Sequence, residues 1–399
     1  MRIITFEKLN IDKRVLSAMK EMELSSPTEI QKKVLPAALE GKDVIGQSMT
    51  GSGKTLAFAV PILQKIEHDA GIQALVMAPT RELVMQIAAE MKKLARNMNV
   101  DICEVFGGVS INPQISKLKY ADVVVGTPGR ILDHMQRGTI DFRFLKILIL
   151  DEADRMLDMG FIRDIRKIVS RLPEKRQTML FSATIPDEVV RISREYMRNP
   201  VKLVAQTEVS IEKLAQLYCD VRQDEKISLL IHLINKEKPT LALVFCATRD
   251  TTDFVANALF RNNIEAKAIH GGLTQDRRTN LLAGFHKGRP HILIATDVAA
   301  RGLDIKNVTH VFHYDSPKTT DEYTHRIGRT ARIGREGESI LMLSPRDHEF
   351  FRKIIRDMPH IKKLRVENFA RIKMQYPRER EERRPMQRSR FPQRMRRRY

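Results

Sequence analysis

The first half of the chain alternates short apolar segments with stretches of helical periodicity. The segments are rich in β-branched residues and have the length of strands. Helical periodicity is clearest in Arg81–Asn97, where four apolar residues follow one stripe: Leu83, Ile87, Met91 and Leu94. Strands that alternate with helices predict a parallel sheet covered by helices on both faces. The predicted strands of this half are Asp43–Gln47, Ala74–Ala78, Asp122–Gly126, Lys146–Leu150 and Thr178–Phe181.

The same alternation starts again after about residue 210. Helical segments such as Thr251–Asn262 again separate short apolar runs. We therefore predict an α/β fold with two domains, residues 1–205 and 212–365, joined near Val201–Glu212. The predicted strands of the second half are Leu241–Phe245, Lys267–Ile269, Ile292–Ala295, Val311–His313 and Ser339–Leu343.

The last segment, residues 375–399, has a different composition. It contains three prolines and almost no aliphatic residues, and between Tyr376 and Tyr399 it carries ten arginines and three glutamates. Such a segment cannot bury a core, so we predict a short disordered basic C-terminal tail.

Charge is the first indication of a partner. The 399 residues carry a formal net charge of +20, of which the tail supplies only part, so the body of the chain is basic as well. This balance favours a polyanion, either a nucleic acid or an acidic membrane surface. The chain has no tryptophan and only 6% aromatic residues, so contacts to phosphates are expected to outweigh stacking on bases.

Composition also limits the compartment. No apolar run approaches the roughly 18 residues of a membrane span, and the polar start does not resemble a secretory signal. Three widely spaced cysteines, Cys103, Cys219 and Cys246, indicate neither a disulfide framework nor a metal site. We expect buried thiols and a cytoplasmic location.

A glycine-rich loop follows the first predicted strand and precedes a helix, which is the setting of a phosphate-binding loop. Gly51 and Gly53 allow the backbone to approach phosphate, Lys54 adds a cation, and the Thr55 hydroxyl suits Mg²⁺. Ser48 stands where the strict pattern has glycine. The loop residues are Ser48, Met49, Thr50, Gly51, Ser52, Gly53, Lys54 and Thr55.

The apolar strand Lys146–Leu150 ends in the acidic sequence Asp151-Glu152-Ala153-Asp154. Ligands of α/β sheets bind at the carboxyl ends of strands. Asp151 is predicted to hold Mg²⁺ through water, and Glu152 to polarise an attacking water molecule.

Taken together, these motifs resemble the DEAD-box ATP-dependent RNA helicases, and the resemblance covers about residues 6 to 345. Further matches follow in the order of that family: Pro79-Thr-Arg-Glu-Leu83, Gly107-Gly108, Thr127-Pro-Gly-Arg130, Ser182-Ala-Thr184, Gln275-Asp-Arg-Arg278, Ala295-Thr-Asp-Val-Ala-Ala-Arg-Gly-Leu-Asp304 and His325-Arg-Ile-Gly-Arg-Thr-Ala-Arg332. The resemblance implies two tandem RecA-like domains, with ATP in the cleft between them and single-stranded RNA across both.

The resemblance also implies roles for single residues. Pro27-Thr28-Glu-Ile-Gln31 is similar to the adenine-reading Q motif, in which Thr28 and Gln31 bind the nucleotide and Phe6 stacks on the base. Glu23 and Leu24 depart from the usual glycine and aromatic residue. Gly302 and Asp304 are implied to contact the ribose.

The implied catalytic residues are distributed over both domains. Lys54, Asp151 and Glu152 come from the first domain, while Arg329 and Arg332 come from the second and act as arginine fingers. Closure of the domains would then assemble the site. Ser182 and Thr184 are implied to couple the nucleotide site to RNA.

The implied RNA contacts are threonine, glycine, proline and arginine residues, which suit the sugar-phosphate backbone. RNA binding is therefore expected to show little sequence preference and to weaken as the salt concentration rises. They are Pro79, Thr80, Arg81, Gly108, Thr127, Arg130, Thr248, Gly271, Arg278 and Thr296. We expect a monomer that does not bind membranes, with RNA-processing or ribosome-assembly proteins as candidate partners.

Other functions stay open at this point. The chain is expected to unwind short RNA duplexes or to remodel RNA–protein complexes. The alternatives are an ATP-dependent RNA clamp or annealing module with little unwinding, a DNA helicase or other P-loop motor, and a membrane-surface protein that uses its basic tail.

Overall fold

The structure is a computed structural model that describes residues 5–48, 51–205, 214–300, 308–330, 337–366 and 368–372. Five of the predicted site residues lie outside the described residues, and so does the predicted tail, residues 375–399. These site residues are Met49, Thr50, Gly302, Asp304 and Arg332.

The first half of the described chain forms one parallel sheet in the order β3-β4-β2-β5-β6-β1-β7. Its strands are β1 (Val44–Gln47), β2 (Ala74–Met77), β3 (Ile102–Val105), β4 (Val123–Gly126), β5 (Ile147–Leu150), β6 (Gln177–Ser182) and β7 (Val201–Val204). The central strands are buried on both faces, which explains their continuous apolar sequence.

Helices cover both faces of this sheet and form two apolar clusters with it, one on each side. They are α1 (Lys13–Glu21), α2 (Glu29–Leu39), α3 (Lys54–Lys65), α4 (Arg81–Leu94), α5 (Asn112–Leu118), α6 (Pro128–Gln136), α7 (Ala153–Asp158), α8 (Ile162–Val169) and α9 (Asp187–Tyr196). A short 3-10 helix, Phe6–Lys8, precedes α1.

The second half forms another parallel sheet, in the order β10-β11-β9-β12-β13-β8-β14. Its strands are β8 (Leu214–Asp220), β9 (Ala242–Cys246), β10 (Ala266–Ile269), β11 (Ile292–Thr296), β12 (His310–His313), β13 (Gly337–Leu343) and β14 (Lys362–Lys363). Its helices are α10 (Lys226–Glu237), α11 (Arg249–Arg261), α12 (Gln275–His286), α13 (Asp297–Ala300), α14 (Thr320–Ile327) and α15 (His348–Asp357).

The two sheets have the same topology. Adding seven to each strand number of the first order reproduces the second order, so β1 corresponds to β8, β2 to β9 and so on to β14. The prediction of two tandem α/β units with parallel sheets is confirmed. The predicted domain boundaries stay predictions.

Of the described strands that sequence reasoning missed, β3, β7 and β14 lie at sheet edges, whereas β8 lies between β13 and β14. β3 contains Glu104, and β7 alternates half-buried and exposed positions. β7 lies where we predicted the joint between domains, but it pairs with β1 at the edge of the first sheet. An edge strand has one neighbour, so its sequence does not need the apolar run of a central strand.

One expectation from composition agrees with the structure. Cys103, Cys219 and Cys246 are buried free thiols. Within the ranges that the structure describes, none of the helices has the length and apolar character needed to cross a membrane.

Candidate nucleotide site and interdomain cleft

The sheet order places two groups of loops at the carboxyl edge of the first sheet. The loops after β1, β5 and β6 are neighbours, and these carry the phosphate loop, the acidic motif and Ser182–Thr184. The loops after β2, β3 and β4 form the second group. Residues that are far apart in sequence therefore form two adjacent sites on one edge.

The phosphate loop turns sharply into α3. Gly53 has φ +87°, a left-handed conformation that favours glycine, and a side chain there would also meet the Gln31 amide at 2.5 Å. Lys54 is the first residue of α3, is buried, and donates to the Ser48 carbonyl at 3.2 Å. The Ser48 and Ser52 hydroxyls are 2.8 Å apart. Ser48, in place of the usual glycine, therefore joins the hydrogen bonding of the loop.

Gln31 holds the phosphate loop from the side of α2. Its amide donates to the Gly53 carbonyl at 2.9 Å and accepts from the Thr28 backbone N–H at 2.9 Å. The Thr28 hydroxyl donates to the Ser52 carbonyl at 2.7 Å. One donor and one acceptor of the Gln31 amide are thus used within the protein, and the other N–H and lone pair can serve adenine.

Phe6 is buried and forms part of a cleft of about 400 Å³ beside the turn after α1. Glu23 in this turn has φ +59°, the conformation that the usual glycine favours. The Glu23 and Leu24 N–H groups donate to the carbonyls of Lys20 and Met19, as in a Schellman C-cap. The turn therefore keeps its shape despite the substitution of the glycine.

Asp151 and Glu152 are both buried beside Lys54. Burial raises the pKa of Asp151 to about 6, and the charge of Lys54 limits this rise. Burial also opposes the charge of Glu152, but the cations of Arg155, Lys54 and Arg329 together lower its pKa to about 2. Glu152 is therefore an ionised hydrogen-bond acceptor in a buried site.

Glu152 has two further marks of a constrained residue. Its φ is +51°, which is rare for a side chain of this size. Its carboxylate accepts a hydrogen bond from Arg155 Nη1 at 2.6 Å, and both side chains are buried. The backbone conformation and the ion pair together fix the direction in which the carboxylate points.

Asp154 connects three motifs. Its Oδ2 accepts from the Ala183 and Thr184 N–H groups at 3.1 and 2.8 Å and from the Thr184 hydroxyl at 3.0 Å. Its own N–H donates to Ser182 Oγ at 3.1 Å. His325 of the second domain lies with Nε2 3.8 Å from the same Oδ2. The acidic motif and Ser182–Thr184 therefore form one unit that faces the second domain.

The second domain brings two arginines of different kinds to this face. Arg329 is buried and close enough to Glu152 for its charge to lower the pKa of that residue. Arg326 instead forms a bidentate ion pair with Asp297, both N···O distances being 2.7 Å, and donates to the Asp315 carbonyl at 2.7 Å. Arg329 belongs to the interdomain site, whereas Arg326 anchors α14 within its own domain.

The residues predicted to bind RNA line the other group of loops. Pro79, Thr80 and Arg81 follow β2, and a side chain at Gly108 would overlap the Arg81 guanidinium. Thr127 and Arg130 follow β4, and Arg130 donates to the Val109 carbonyl at 3.1 Å. Among the described residues, Arg130 Nη1 is buried and has no hydrogen-bond partner, which suits a group that binds an anion.

The corresponding loops of the second sheet carry the rest. Thr248 follows β9 and caps α11, Gly271 and Arg278 follow β10, and Thr296 ends β11. Arg278 Nη2 lies 3.1 Å from Glu82 Oε1 of the first domain and 3.3 Å from the Ala299 carbonyl.

Most of these predicted residues share one interdomain cleft of about 480 Å³; its lining includes Pro79, Thr80, Arg81, Thr127, Arg130, Gly271 and Arg278. Gly108 lies against it through Arg81. Thr248 and Thr296 are not among the lining residues.

The donor set fits a nucleoside triphosphate and Mg²⁺. A buried ammonium, a loop whose two described glycines have positive φ, and the N-terminus of α3 suit phosphate. The carboxylate of Asp151 and the hydroxyl of Thr55 are oxygen donors of the kind that Mg²⁺ prefers.

Sequence reasoning assigned no role to Arg155, Glu82, Arg326 and Asp297. Each forms an ion pair whose partner is distant in sequence or lies in a neighbouring turn. The only signal for them in the sequence was their position inside or beside the motifs, because charged side chains are usually exposed.

Comparison with known proteins gives the same pattern. The family model "DEAD/DEAH box helicase" matches residues 28–192, and "Helicase conserved C-terminal domain" matches residues 225–334. The DEAD-box ATP-dependent RNA helicase CshA of Geobacillus kaustophilus is 42% identical over 92% of this chain and 78% of its own length. CshA of Bacillus cereus is 43% identical over 86% of this chain and 66% of its own length.

Solved structures agree in both sheets. Dbp5 of S. cerevisiae bound to RNA and ADP BeF3 is 32% identical, with a TM-score of 0.83 over 91% of this chain and 95% of that one. Mss116p bound to ssRNA and AMP-PNP is 29% identical, with a TM-score of 0.82 over 92% of this chain and 80% of that one. The predicted pair of RecA-like domains is thereby confirmed.

Proposed function

Since this chain belongs to the DEAD-box family of ATP-dependent RNA helicases, we propose that it binds single-stranded RNA along its backbone across both domains. It uses ATP hydrolysis to separate short RNA duplexes locally or to remodel RNA–protein complexes. The observation that carries the proposal is the approach of the second domain to the acidic motif, where His325 Nε2 lies 3.8 Å from Asp154 Oδ2 and the charge of Arg329 lowers the pKa of Glu152.

In this proposal the first domain holds the triphosphate. Lys54 and the loop N–H groups bind its phosphates, and Gln31, Thr28 and Phe6 bind the base. Mg²⁺, when bound by Thr55 and Asp151, neutralises phosphate charge. Glu152 accepts a hydrogen bond from the attacking water molecule and so orients it.

The second domain completes the site. Arg329 neutralises charge that develops on the transferred phosphoryl group, as an arginine finger does. Arg332, Gly302 and Asp304 take the roles that the family assigns to them. Half of the site lies on each domain, so hydrolysis requires the closed arrangement.

RNA favours that arrangement because its site also spans both domains. A strand in the cleft that holds Arg81, Arg130 and Arg278 contacts both sheets at once. ATP and RNA therefore promote the binding of each other. Buried Arg130 Nη1 supports a phosphate contact at this position.

The tail adds a tether for RNA. The last described residues run along α10 to its first turn, where the Ile372 N–H donates to Ser228 Oγ at 2.9 Å and Arg371 lies 2.7 Å from Glu225. This turn lies at the carboxyl edge of the second sheet, so the last described residues reach the edge that carries the interdomain cleft. We propose further that the protein acts as a cytoplasmic monomer on RNA of many sequences.

ATP hydrolysis with and without single-stranded RNA, for the wild type and Glu152→Gln, tests the proposal. We expect RNA to stimulate the wild type and Glu152→Gln to lower kcat by about 10²-fold or more with little change in ATP binding. A short RNA duplex assay in parallel separates a helicase from a clamp, because a clamp would bind RNA and ATP without strand separation. Equal stimulation by DNA would contradict the RNA assignment.

A further inference from the structure

The repeated topology gives the phosphate loop a counterpart in the second domain. β8 corresponds to β1, and α10, which follows β8, corresponds to α3. Lys54 is the first residue of α3, and Lys226 is the first residue of α10. The loops before them, residues 48–53 and 221–225, differ in length by one residue. Lys226 therefore occupies the position of the phosphate-loop lysine.

A carboxylate of the protein faces Lys226 at this position. The Lys226 side chain is 1% exposed, and its ammonium donates to Asp347 Oδ2 at 2.7 Å and to the Tyr314 carbonyl at 2.8 Å. Asp347 Oδ2 also accepts hydrogen bonds from the Ser344 N–H at 2.8 Å and from the Ser344 hydroxyl at 2.6 Å. An ammonium, a backbone N–H and a hydroxyl are the donors that a phosphate loop offers to an anion.

The neighbouring strands repeat the first site as well. Asp315 lies two residues after β12, whereas Asp151 directly follows β5, and Ser344 directly follows β13 near the position where the Ser182–Thr184 motif ends β6. Burial opposes the charge of Asp347, but Lys226 and the donors of Ser344 lower its pKa, so the carboxylate stays ionised. The second domain thus contains an anion site with its anion supplied by the chain.

The same pair is connected to the arginine that enters the nucleotide site. Lys226 holds the carbonyl of Tyr314, and the carbonyl of the next residue, Asp315, accepts from Arg326 at 2.7 Å. Arg326 begins the turn that contains Arg329, since the Arg329 N–H donates to the Arg326 carbonyl at 3.2 Å. A displacement of the turn at Tyr314–Asp315 would therefore shift the base of Arg329.

We propose that Asp347 is the built-in anion of a phosphate-loop-like position in the second domain, and that the Lys226–Asp347 pair positions Arg329 for ATP hydrolysis in the first. The positioning part rests on the proposed function. Lys226 and Asp347 are positioning residues, because they act on the reaction through Arg326 and Arg329. A pair that only stabilised the fold would affect stability without a selective effect on kcat.

The first experiment uses a variant that keeps the fold. In Lys226→Met with Asp347→Leu, both charges are replaced by apolar side chains, which buried ion pairs often tolerate. The matched control is a more exposed ion pair on the same helix, Lys236→Met with Glu237→Leu. Thermal unfolding, fluorescent nucleotide binding and RNA-stimulated hydrolysis are measured for the wild type and both variants.

We expect the buried-pair variant to unfold near the wild-type temperature and to bind nucleotide equally well. Its kcat falls about 10- to 100-fold, because a displacement of the Arg329 side chain by about 1 Å lowers the rate by a factor of that size. The KM for ATP stays within about twofold, and the surface control behaves as wild type. A kcat of the buried-pair variant within about twofold of wild type would overturn the positioning role.

The second experiment needs no ATPase activity. Asp347→Ala removes the built-in anion and leaves Lys226 facing an open position. We expect about 20 mM inorganic phosphate, at constant ionic strength, to raise the unfolding temperature of this variant more than that of the wild type. The buried-pair variant lacks the ammonium of Lys226, so its unfolding temperature should respond to phosphate as that of the wild type does. All three proteins keep Lys54, so any stabilisation by phosphate bound there is the same in each.

These two arms separate the possible failures. If the wild type hydrolysed no ATP, the proposed function would fail, and the phosphate response of Asp347→Ala would still decide the assignment of the anion site. Equal phosphate responses of Asp347→Ala and wild type would reject that assignment. If Asp347→Ala did not fold, hydrolysis by the buried-pair variant would decide the proposal.

Discussion

The hydroxyl group of Thr184 donates to Oδ2 of Asp154 at 3.0 Å, and this bond closes the gap between the acidic motif and the loop after β6. The same oxygen lies 3.8 Å from His325 of the second domain. One carboxylate oxygen therefore contacts the loop beside the nucleotide site and also lies near the other domain. In the proposed mechanism this oxygen couples domain closure to the nucleotide and RNA sites, whereas Glu152 and Lys54 act on the phosphates and the attacking water molecule.

Ser182→Ala combined with Thr184→Ala should uncouple the two activities. The variant loses the two hydroxyl contacts to Asp154 but keeps every residue proposed to touch phosphate. We expect kcat of RNA-stimulated hydrolysis to stay within about threefold of wild type, while duplex separation falls about tenfold or more, since hydrogen bonds to charged groups are worth about 1.5–3 kcal/mol. Thr184→Ser keeps the hydroxyl and is the matched control. Parallel loss of both activities would contradict a coupling role.

Arg329 and Arg326 should fail in different ways. Arg329→Ala removes charge stabilisation at the transferred phosphoryl group, so kcat should fall about 10³-fold with the unfolding temperature nearly unchanged. Arg326→Ala removes a buried guanidinium and leaves the half-buried Asp297 without its bidentate partner, which costs about 3 kcal/mol of stability. Steady-state hydrolysis and thermal unfolding of both variants provide the comparison. An unfolded Arg329→Ala or a stable Arg326→Ala would reverse the assignment.

These arginines also show how far the sequence predicts the site. The sequence predicts Lys54 and Thr55 because strand, loop and helix are contiguous there, and it predicts Asp151 because this residue follows an apolar strand. The division of labour between Arg326 and Arg329 depends on Asp297, which reaches α14 only through the order of the strands. Lys226 gave no signal at all, because a lysine without a glycine-rich loop resembles a surface lysine until the topology is known.

Glu23 marks a different limit of the sequence. The residue departs from the glycine expected at this turn, yet the structure keeps the turn with Glu23 at φ +59°. The two Schellman hydrogen bonds hold the backbone there against the steric preference of the side chain. The sequence shows that glycine is absent from this turn, but only the packing and hydrogen bonds of the structure show that the turn keeps its conformation.

Glu23→Gly should relieve this strain. A left-handed conformation costs a non-glycine residue about 1–2 kcal/mol, and the greater freedom of glycine in the unfolded chain offsets about 0.4–1 kcal/mol of this. We expect a net gain of about 0.5–1 kcal/mol, seen as an increase of about 1–4 °C in Tm. Glu23→Ala keeps the side-chain penalty and should not gain. Destabilisation by glycine would show that contacts of the Glu23 side chain outweigh the strain.

The Lys226–Asp347 pair should make stability depend on acid. Burial acts against the charge of Asp347, but Lys226 lowers its pKa below the ordinary value of 3.8. The stabilisation is therefore complete above the unfolded pKa and is lost as the pH falls through the lower folded pKa. Denaturant unfolding of the wild type and of Lys226→Met with Asp347→Leu should show the wild type losing stability relative to the variant below about pH 4. A constant difference across that range would contradict the ionised pair.

Removal of the tail after Met374 should weaken RNA binding without slowing the catalytic step. The truncation removes ten arginines and three glutamates and leaves the described part of both domains intact. Without a tether that raises the local RNA concentration, half-maximal stimulation should need about tenfold more RNA, while the maximal rate stays similar. The difference should shrink as salt rises, because the tail contacts are electrostatic.

A tail of the same composition in scrambled order is the matched control and should restore binding, since charge density rather than a specific motif does the binding. If the truncated protein bound RNA as tightly as the full chain at low salt, tethering would be rejected and the arginines would serve another purpose.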